Sequence, residues 1–543
     1  MSAGALLALT IAVPLAMLAT CVSARIRDRM PTLLPLAPLP ALVAAIFLGD
    51  GSTLVLPQAL LGLTLVIDRP GAMLLGTAAL LWIAAGVYAG AWLHSQSNGG
   101  RFAMWWLMTL TGSLGVFMAA DMVSFYLFFT LVSLAAYGLV VFEETPSAKR
   151  AGALYISLAV LGEAFLLMGF VFLAMGSPDG SLLIRDAVAA LPTSAWCDPA
   201  LAFLILGFGL KIGLVPFHVW MPLTYTAAPI PAAAVLSGAA VKAGVIGFIR
   251  FLPFDTALTG WGELLVATGL FSAFYGVAIG ITQSNPKTVL AYSSVSQMGM
   301  LATVFGMGLI TADSGVPVAA AFYATNHILV KGGLFLALGV GKPARVRGFW
   351  IVLLPAAVLA IGLGGLPLTG GALAKLAVKA PLGDGIVGTF AILSAIGSTL
   401  LMFHFLRCLV LSASRESRTT TSVWVALSWL AIAVSAVVLP WVLFAQAGDG
   451  SLLDALVPKE LWAALWPVLI GGILAIGLWR WGYMLPHVPE GDVLAAGNSA
   501  TRAARILGTL AERTDWYLRQ WQMAGVLLLA LTVILIGTML TGH

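Results

Sequence analysis

The chain has 543 residues, of which 60% are hydrophobic and only 9% charged, with a mean hydropathy of +1.02 and a formal charge of +5. Soluble globular domains carry about 25% charged residues, and the longest polar interval here, roughly 482–520, is too short to make one, so the whole chain reads as an integral membrane protein. The excess of positive charge then records arginines that set topology, not a nucleic-acid partner.

Taking apolar runs of about 17–25 residues as spans, we count about sixteen. Their approximate limits are 3–23, 31–49, 70–93, 102–119, 121–142, 149–175, 200–220, 229–252, 261–283, 286–309, 314–340, 349–380, 385–412, 421–447, 461–481 and 520–541. The first run, Ala3 to Ala24, has no basic leader and reads as a span, not a removed signal. Loops after odd-numbered spans are basic (Arg25, Arg27, Arg29; Arg101; Lys149, Arg150; Lys287; Lys342, Arg345, Arg347; Arg415, Arg418; Arg480, Arg502, Arg505, Arg513, Arg519). Loops after even-numbered spans are mostly acidic, as at Asp50, Asp179, Asp186, Asp198, Asp255, Asp313, Asp384, Asp449 and Asp454. The positive-inside rule therefore puts both termini outside, in a bacterial or archaeal type of cytoplasmic membrane.

Three places depart from plain spans. Thr53–Ile67 is short, partly β-branched and followed by Asp68-Arg69-Pro70, which predicts an external hairpin. Two long apolar stretches are broken, at Leu214-Val215-Pro216-Phe217 and Gly364-Gly365-Leu366-Pro367, so Pro216 and Pro367 mark helix breaks. Breaks at membrane depth survive only where protein or water satisfies the freed backbone, and paired breaks in two halves point to an ion path. Residues 497–520 mix charges with apolar residues and predict an amphipathic segment on the cytoplasmic face.

Five of the nine lysines fall inside predicted spans: Lys211, Lys242, Lys331, Lys375 and Lys379. Placing one lysine at mid-bilayer costs about 2.5–3.5 kcal/mol on insertion scales, so such residues mark charge or proton pathways by default. Burial disfavours the charged amine, and an amine so held takes up and releases a proton at modest cost. His327 and Lys331 are four apart and share a helix face. Ser293, Ser294, Ser296 and Gln297 place hydroxyl and amide groups on the neighbouring span. Glu163 is one of very few carboxylates deep within a span. The remaining candidates divide between structure and function. Lys379 shares a face with Lys375 near a boundary, where snorkelling or packing competes with a path role. His218 sits past a break and either caps freed carbonyls or joins the path. His404 reads as a hydrogen-bonded core histidine, and Asp121, Glu143 and Glu144 as interfacial residues.

The densest pattern runs from Gly209 to Phe251. It contains Lys211, Pro216-Phe217-His218-x-Trp220-x-Pro222, Ala228-Pro229-x-Pro231, Ser237-Gly238 and Lys242-Ala243-Gly244. Further on come Lys287-x-x-Leu-Ala-Tyr-Ser-Ser-x-Ser-Gln-Met-Gly, His327-x-x-x-Lys331-x-x-Leu-Phe, and Leu366-Pro367 followed by Lys375. Over roughly residues 100–410 this strongly resembles the proton-conducting antiporter-like subunits of respiratory complex I, membrane-bound hydrogenases of the formate hydrogenlyase type, and Mrp cation/proton antiporters. The resemblance implies two pseudo-symmetric five-helix repeats, spans 4–8 and 9–13, with broken helices 7 and 12. The domains are then 1–100, 101–252, 253–412 and 413–543. It also implies a proton path through Lys211, Lys242, His327, Lys331 and Lys375.

The chain departs from that family at one position. Relatives carry a Trp-Glu pair on the fifth span, and the glutamate partners the seventh-span lysine; here Phe129 and Thr130 stand in those places. Glu163, on the sixth span, is the candidate replacement. No catalytic residue, metal site or cofactor is expected. Cys21, Cys197 and Cys408 share no metal spacing, and the chain has neither a CxxC cluster nor a nucleotide-binding glycine loop. The leading expectation is a proton-translocating (alternatively sodium-translocating) subunit that works with other membrane subunits and peripheral iron–sulfur or flavin subunits. The alternatives are an Mrp-type antiporter subunit and the membrane subunit of a proton-driven inorganic-carbon uptake complex. The latter's partners carry histidine and asparagine where this chain has Ser237 and Lys242.

Overall fold

A computed structural model describes residues 2–59, 62–94, 96, 98–341, 346–413, 422–446, 452–486 and 488–489. The described residues belong to one compact unit, Met1–Glu490; a second unit, Gly491–His543, holds the predicted amphipathic segment and sixteenth span, which lie outside the described residues. Among the described residues, twelve helical stretches are long and apolar enough to cross a membrane. The chain is a multi-pass, mostly helical membrane protein.

Near the N-terminus α1 (Ala3–Thr20) is followed by α2 (Ala24–Leu33) and α3 (Leu39–Phe47), then the strands β1 (Ser52–Leu56) and β2 (Leu63–Ile67) and helix α4 (Arg69–Leu93). One expectation is corrected here. The arginines of the first predicted loop lie within helix α2, which with α3 makes one apolar stretch from Ala24 to Phe47. Pro35 and Pro38 separate the two helices, because proline offers no N–H to continue the ladder. The hairpin is antiparallel, with Ser52 opposite Ile67 and Leu56 opposite Leu63.

Next come α5 (Gly99–Met118), α6 (Met122–Val140), α7 (Pro146–Gly176), the short α8 (Ile184–Ala190), α9 (Cys197–Ile212), α10 (Trp220–Ala227), α11 (Ile230–Val235) and α12 (Lys242–Phe251). The remainder comprises α13 (Thr259–Gly280), α14 (Pro286–Thr311), α15 (Val316–Gly341), α16 (Val346–Gly364), α17 (Gly370–Ala377), α18 (Lys379–Leu382), α19 (Ile386–Ala413), α20 (Val423–Leu443) and α21 (Pro458–Trp481).

Asp121 pins the hairpin to the helices. Its carboxylate caps α6 by accepting from Ser124 N at 2.7 Å and also accepts from Thr64 N at 2.8 Å. Arg250, buried at the end of α12, donates to the carbonyls of Ala119 and Phe117 and faces Asp68 at 3.4 Å. Between α5 and α7, Arg101 meets Glu144 at 2.6 Å, and that hydrogen bond holds the Glu144 carboxyl below the usual carboxylate range.

Lipid-facing and protein-facing residues separate cleanly. On α7, Leu161, Leu167, Met168 and Val171 are exposed, while Gly162, Glu163, Leu166, Gly169 and Phe170 are buried. That is the helical period with its apolar residues outward, as lipid rewards. Helices α13 and α14 pack through small residues. A Cβ on Gly262, Gly269 or Gly276 would come 2.6 Å from the backbone oxygen of Gly306, Gly299 or Tyr292. Residues 231–249 are all buried, so α11 and α12 lie at the centre of the unit.

Candidate functional site: a row of buried amines

The first amine is placed by a helix break. Helix α9 stops because Gly213 takes a left-handed φ of +73°, which glycine adopts without steric cost. The chain then passes through a cis Val215-Pro216 bond and a short turn before restarting as α10. Freed backbone groups find partners: Trp220 Nε1 donates to Leu210 O at 3.0 Å, and Val215 N donates to Ser272 Oγ at 3.0 Å. Lys211 therefore sits in the last turn of α9, where the helix carbonyls favour a cation.

Lys211 is buried, donates from Nζ to Ser133 Oγ at 2.7 Å, and lies 5.2 Å from the centre of the Phe129 ring. Ser133 in turn donates to Phe129 O at 2.8 Å. Glu163 approaches from α7 because Gly162 and Gly207 let α7 and α9 come together; a Cβ on Gly207 would lie 3.0 Å from Gly162 O. The Glu163 carboxyl faces the hydroxyls of Ser133 and Thr130 on the side of Lys211, and its Oε1 has no hydrogen-bond partner. Thr130 of α6 thus lies against the carboxylate on the next helix.

The second group is central. Between α11 and α12 the residues Leu236–Ala240 form one turn of π-helix, which loosens the backbone ladder beside Ser237. Lys242 Nζ reaches Ser237 O at 3.5 Å and His327 Nδ1 at 2.9 Å. One turn further along α15, Lys331 Nζ donates to Leu290 O at 2.8 Å. Ser237 and Ser294 hydroxyls meet at 3.2 Å, and Ser294 also donates to Leu290 O. Lys242, His327 and Lys331 are wholly buried, His327 Nε2 has no partner, and neighbouring Ser293 is buried too.

The third amine belongs to the second break. Helix α16 ends at Gly364; Gly365 has φ +107° and Leu368 φ +64° before α17 begins. Lys375 Nζ donates to the freed carbonyl of Gly364. Its side chain lines a cavity of about 260 Å³ with Gln297, Tyr323, Ser394, Ser398, Lys379 and Glu460. Gln297 donates to Ser398 Oγ at 2.9 Å and accepts from Tyr323 at 2.5 Å. Lys379 is not in the buried row: it is exposed and pairs with Glu460 of α21 at 2.8 Å.

Two histidines stand apart from the row. His218 is buried between the rings of Tyr275 and Tyr292, at centroid distances of 5.0 and 6.1 Å. His404 bonds through Nε2 to Gln283 O at 2.7 Å, and the Gln283 amide donates to Val488 O. Sequence reasoning missed Ser133, Tyr323, Ser398 and Glu460. A single hydroxyl in an apolar span has no signature of its own, and only its facing amine or amide reveals it.

Comparison with known proteins gives the family. Residues 119–401, just over half of the chain, match the family described as NADH:quinone oxidoreductase/Mrp antiporter, TM. Hydrogenase-4 component B of Escherichia coli is 28% identical over 290 residues, covering 51% of this chain and 43% of that protein. NADH-quinone oxidoreductase subunit N of Desulforudis audaxviator is 32% identical over 296 residues, covering 53% of this chain and 58% of that protein. The chain thus spans about half the length of the curated relatives it matches. A chain in the structure of the Mrp complex from Dietzia sp. has the same fold, with a TM-score of 0.79 at 21% identity, over 98% of this chain and 63% of that one. On the family match and the shared fold, the chain belongs to the NADH:quinone oxidoreductase/Mrp antiporter family of membrane-helix proteins.

Proposed function

We propose that the chain is a proton-translocating membrane subunit of a redox-driven complex, related to NADH-quinone oxidoreductase or membrane-bound hydrogenase. The observation that carries this reading is the contact between Lys242 and His327. An ammonium only donates, and a protonated imidazole only donates, so a 2.9 Å contact between Nζ and Nδ1 requires one of them to be neutral. The pair holds one extra proton or none, never two. Among the described residues no carboxylate pairs with either group, so the charge has no fixed partner. A buried site that holds a proton without trapping it fits a relay better than a structural ion pair.

In this reading a proton passes among Lys211, Lys242, His327, Lys331 and Lys375, and the cavity around Lys375 is the water-accessible end of the path. Glu163 takes the role that the fifth-span glutamate has in relatives and holds a positive charge on Lys211. The repeats are residues 101–252 and 253–412, flanked by 1–100 and 413–543, within about sixteen spans whose two ends face outward from a bacterial or archaeal cytoplasmic membrane. The relatives' names place them in an oxidoreductase and a hydrogenase. The proposed partners are accordingly other membrane subunits and peripheral iron–sulfur or flavin subunits. Purification of the native complex tests this. Copurifying iron–sulfur or flavin subunits support the reading, while copurification of small membrane subunits alone contradicts its redox part and favours an antiporter.

A further inference from the structure

Lys211 and Lys242 are the two amines that a relay has to join across the first bundle, and nothing described above connects them. Between them lie two buried phenols. Tyr155 of α7 donates to Ser133 O at 2.8 Å, the same residue whose hydroxyl accepts from Lys211. Tyr225 of α10 is wholly buried; its hydroxyl faces the Ser237 hydroxyl and has no partner within hydrogen-bond distance. Ser237 is the residue whose carbonyl Lys242 reaches.

Both phenol rings stand edge-on to one indole. Tyr155 and Trp220 have centroids 5.5 Å apart, and Trp220 and Tyr225 have centroids 5.8 Å apart. Trp220 is itself fixed by its bond to Leu210 O, next to Lys211. An unpartnered buried hydroxyl costs about 1–3 kcal/mol. Phenylalanine would fill the Tyr225 position at no such cost, so packing alone gives no reason for the hydroxyl.

We propose that Tyr155 and Tyr225 carry protons laterally between Lys211 and the Lys242–His327 pair. The inference rests on the proton-relay reading above. A proton leaves the Lys211 ammonium, which becomes an amine. Each hydroxyl on the way accepts one proton on its oxygen as it releases the one it carried. The last proton forms the N–H bond that turns the Lys242 amine into an ammonium. No group changes oxidation state, and each hydroxyl ends as it began. The route requires the hydroxyls to turn about their C–O bonds and water to bridge between them.

The test is proton flux in proteoliposomes holding the intact complex, with Tyr155→Phe, Tyr225→Phe and Lys242→Ala compared with the parent. Phenylalanine keeps the ring and removes the hydroxyl. We expect each phenylalanine variant to assemble normally and to lose about a hundredfold in flux, the lower end of what loss of a proton-transfer group costs. Parent-like flux in both, with flux abolished in Lys242→Ala, overturns the phenol route and leaves the relay reading intact. Undiminished flux in Lys242→Ala overturns the relay reading itself. Should a phenylalanine variant fail to assemble, a fluorinated tyrosine at position 155 keeps the shape and makes the phenol more acidic. An acid-ward shift of the flux–pH profile then supports the route, and an unchanged profile contradicts it.

Discussion

At Lys211 the proposed partner carboxylate is Glu163, brought in from α7. Thr130, where the family resemblance leads one to expect glutamate, turns its hydroxyl toward Glu163 from the neighbouring helix. Two substitutions test whether the charge has simply moved. Glu163→Gln should reduce proton flux as severely as Lys211→Ala, and adding Thr130→Glu to Glu163→Gln should restore a large part of it. Flux that is near normal in Glu163→Gln, or a double variant no better than the single one, would remove Glu163 from the path. Flux in reconstituted vesicles measures both. At this scale the sequence was informative for charge and for the clustered serines at 293–296, and silent for isolated hydroxyls. A carboxylate or amine inside a span is conspicuous because it is costly. Ser133 and Phe129 look like any other span residues, and only the fold turns them toward Lys211.

Among the elements, the two broken helices do the positioning. Gly365 has φ +107°, and a Cβ there would sit 3.2 Å from Lys375 Nζ. Gly365→Ala should therefore cost about 1–3 kcal/mol of backbone strain and push Lys375 from the Gly364 carbonyl. A thermal melt of the purified complex checks the first effect and proton flux the second. By contrast the Lys379–Glu460 bond joins α18 to α21 at the exposed mouth of the cavity. An exposed pair contributes under about 1 kcal/mol, so Lys379→Ala should leave flux nearly intact where Lys375→Ala abolishes it. Equal losses in the two variants would place Lys379 in the path. Both breaks were legible because proline and glycine announce them, and so was the hairpin at Ser52–Ile67. The π turn at Leu236–Ala240 was not, since no residue type marks it. Nor was α8, which lies in what reads as a loop.

Across the whole molecule, the three amine sites share one logic. Each is created where a helix loses its regular ladder: Lys211 before the first break, Lys242 after the π turn, and Lys375 after the second break. Freed carbonyls at Ser237 and Gly364 then receive the amines. At Lys242 and Lys375 this arrangement places a backbone carbonyl beside the amine where a carboxylate would otherwise stand, which suits the proposed relay. The multi-pass, helical character was legible because long apolar runs recur along the chain. The meeting of Lys242 with His327, 85 residues away, was not legible from spacing and entered only through family resemblance. The most direct test of the relay is proton flux through the intact complex in sealed proteoliposomes, with a pH-sensitive dye inside and Lys242→Ala beside the parent. The account predicts a complex that assembles with all its subunits and loses at least about a hundredfold in flux. Parent-level flux from a fully assembled Lys242→Ala complex would contradict it.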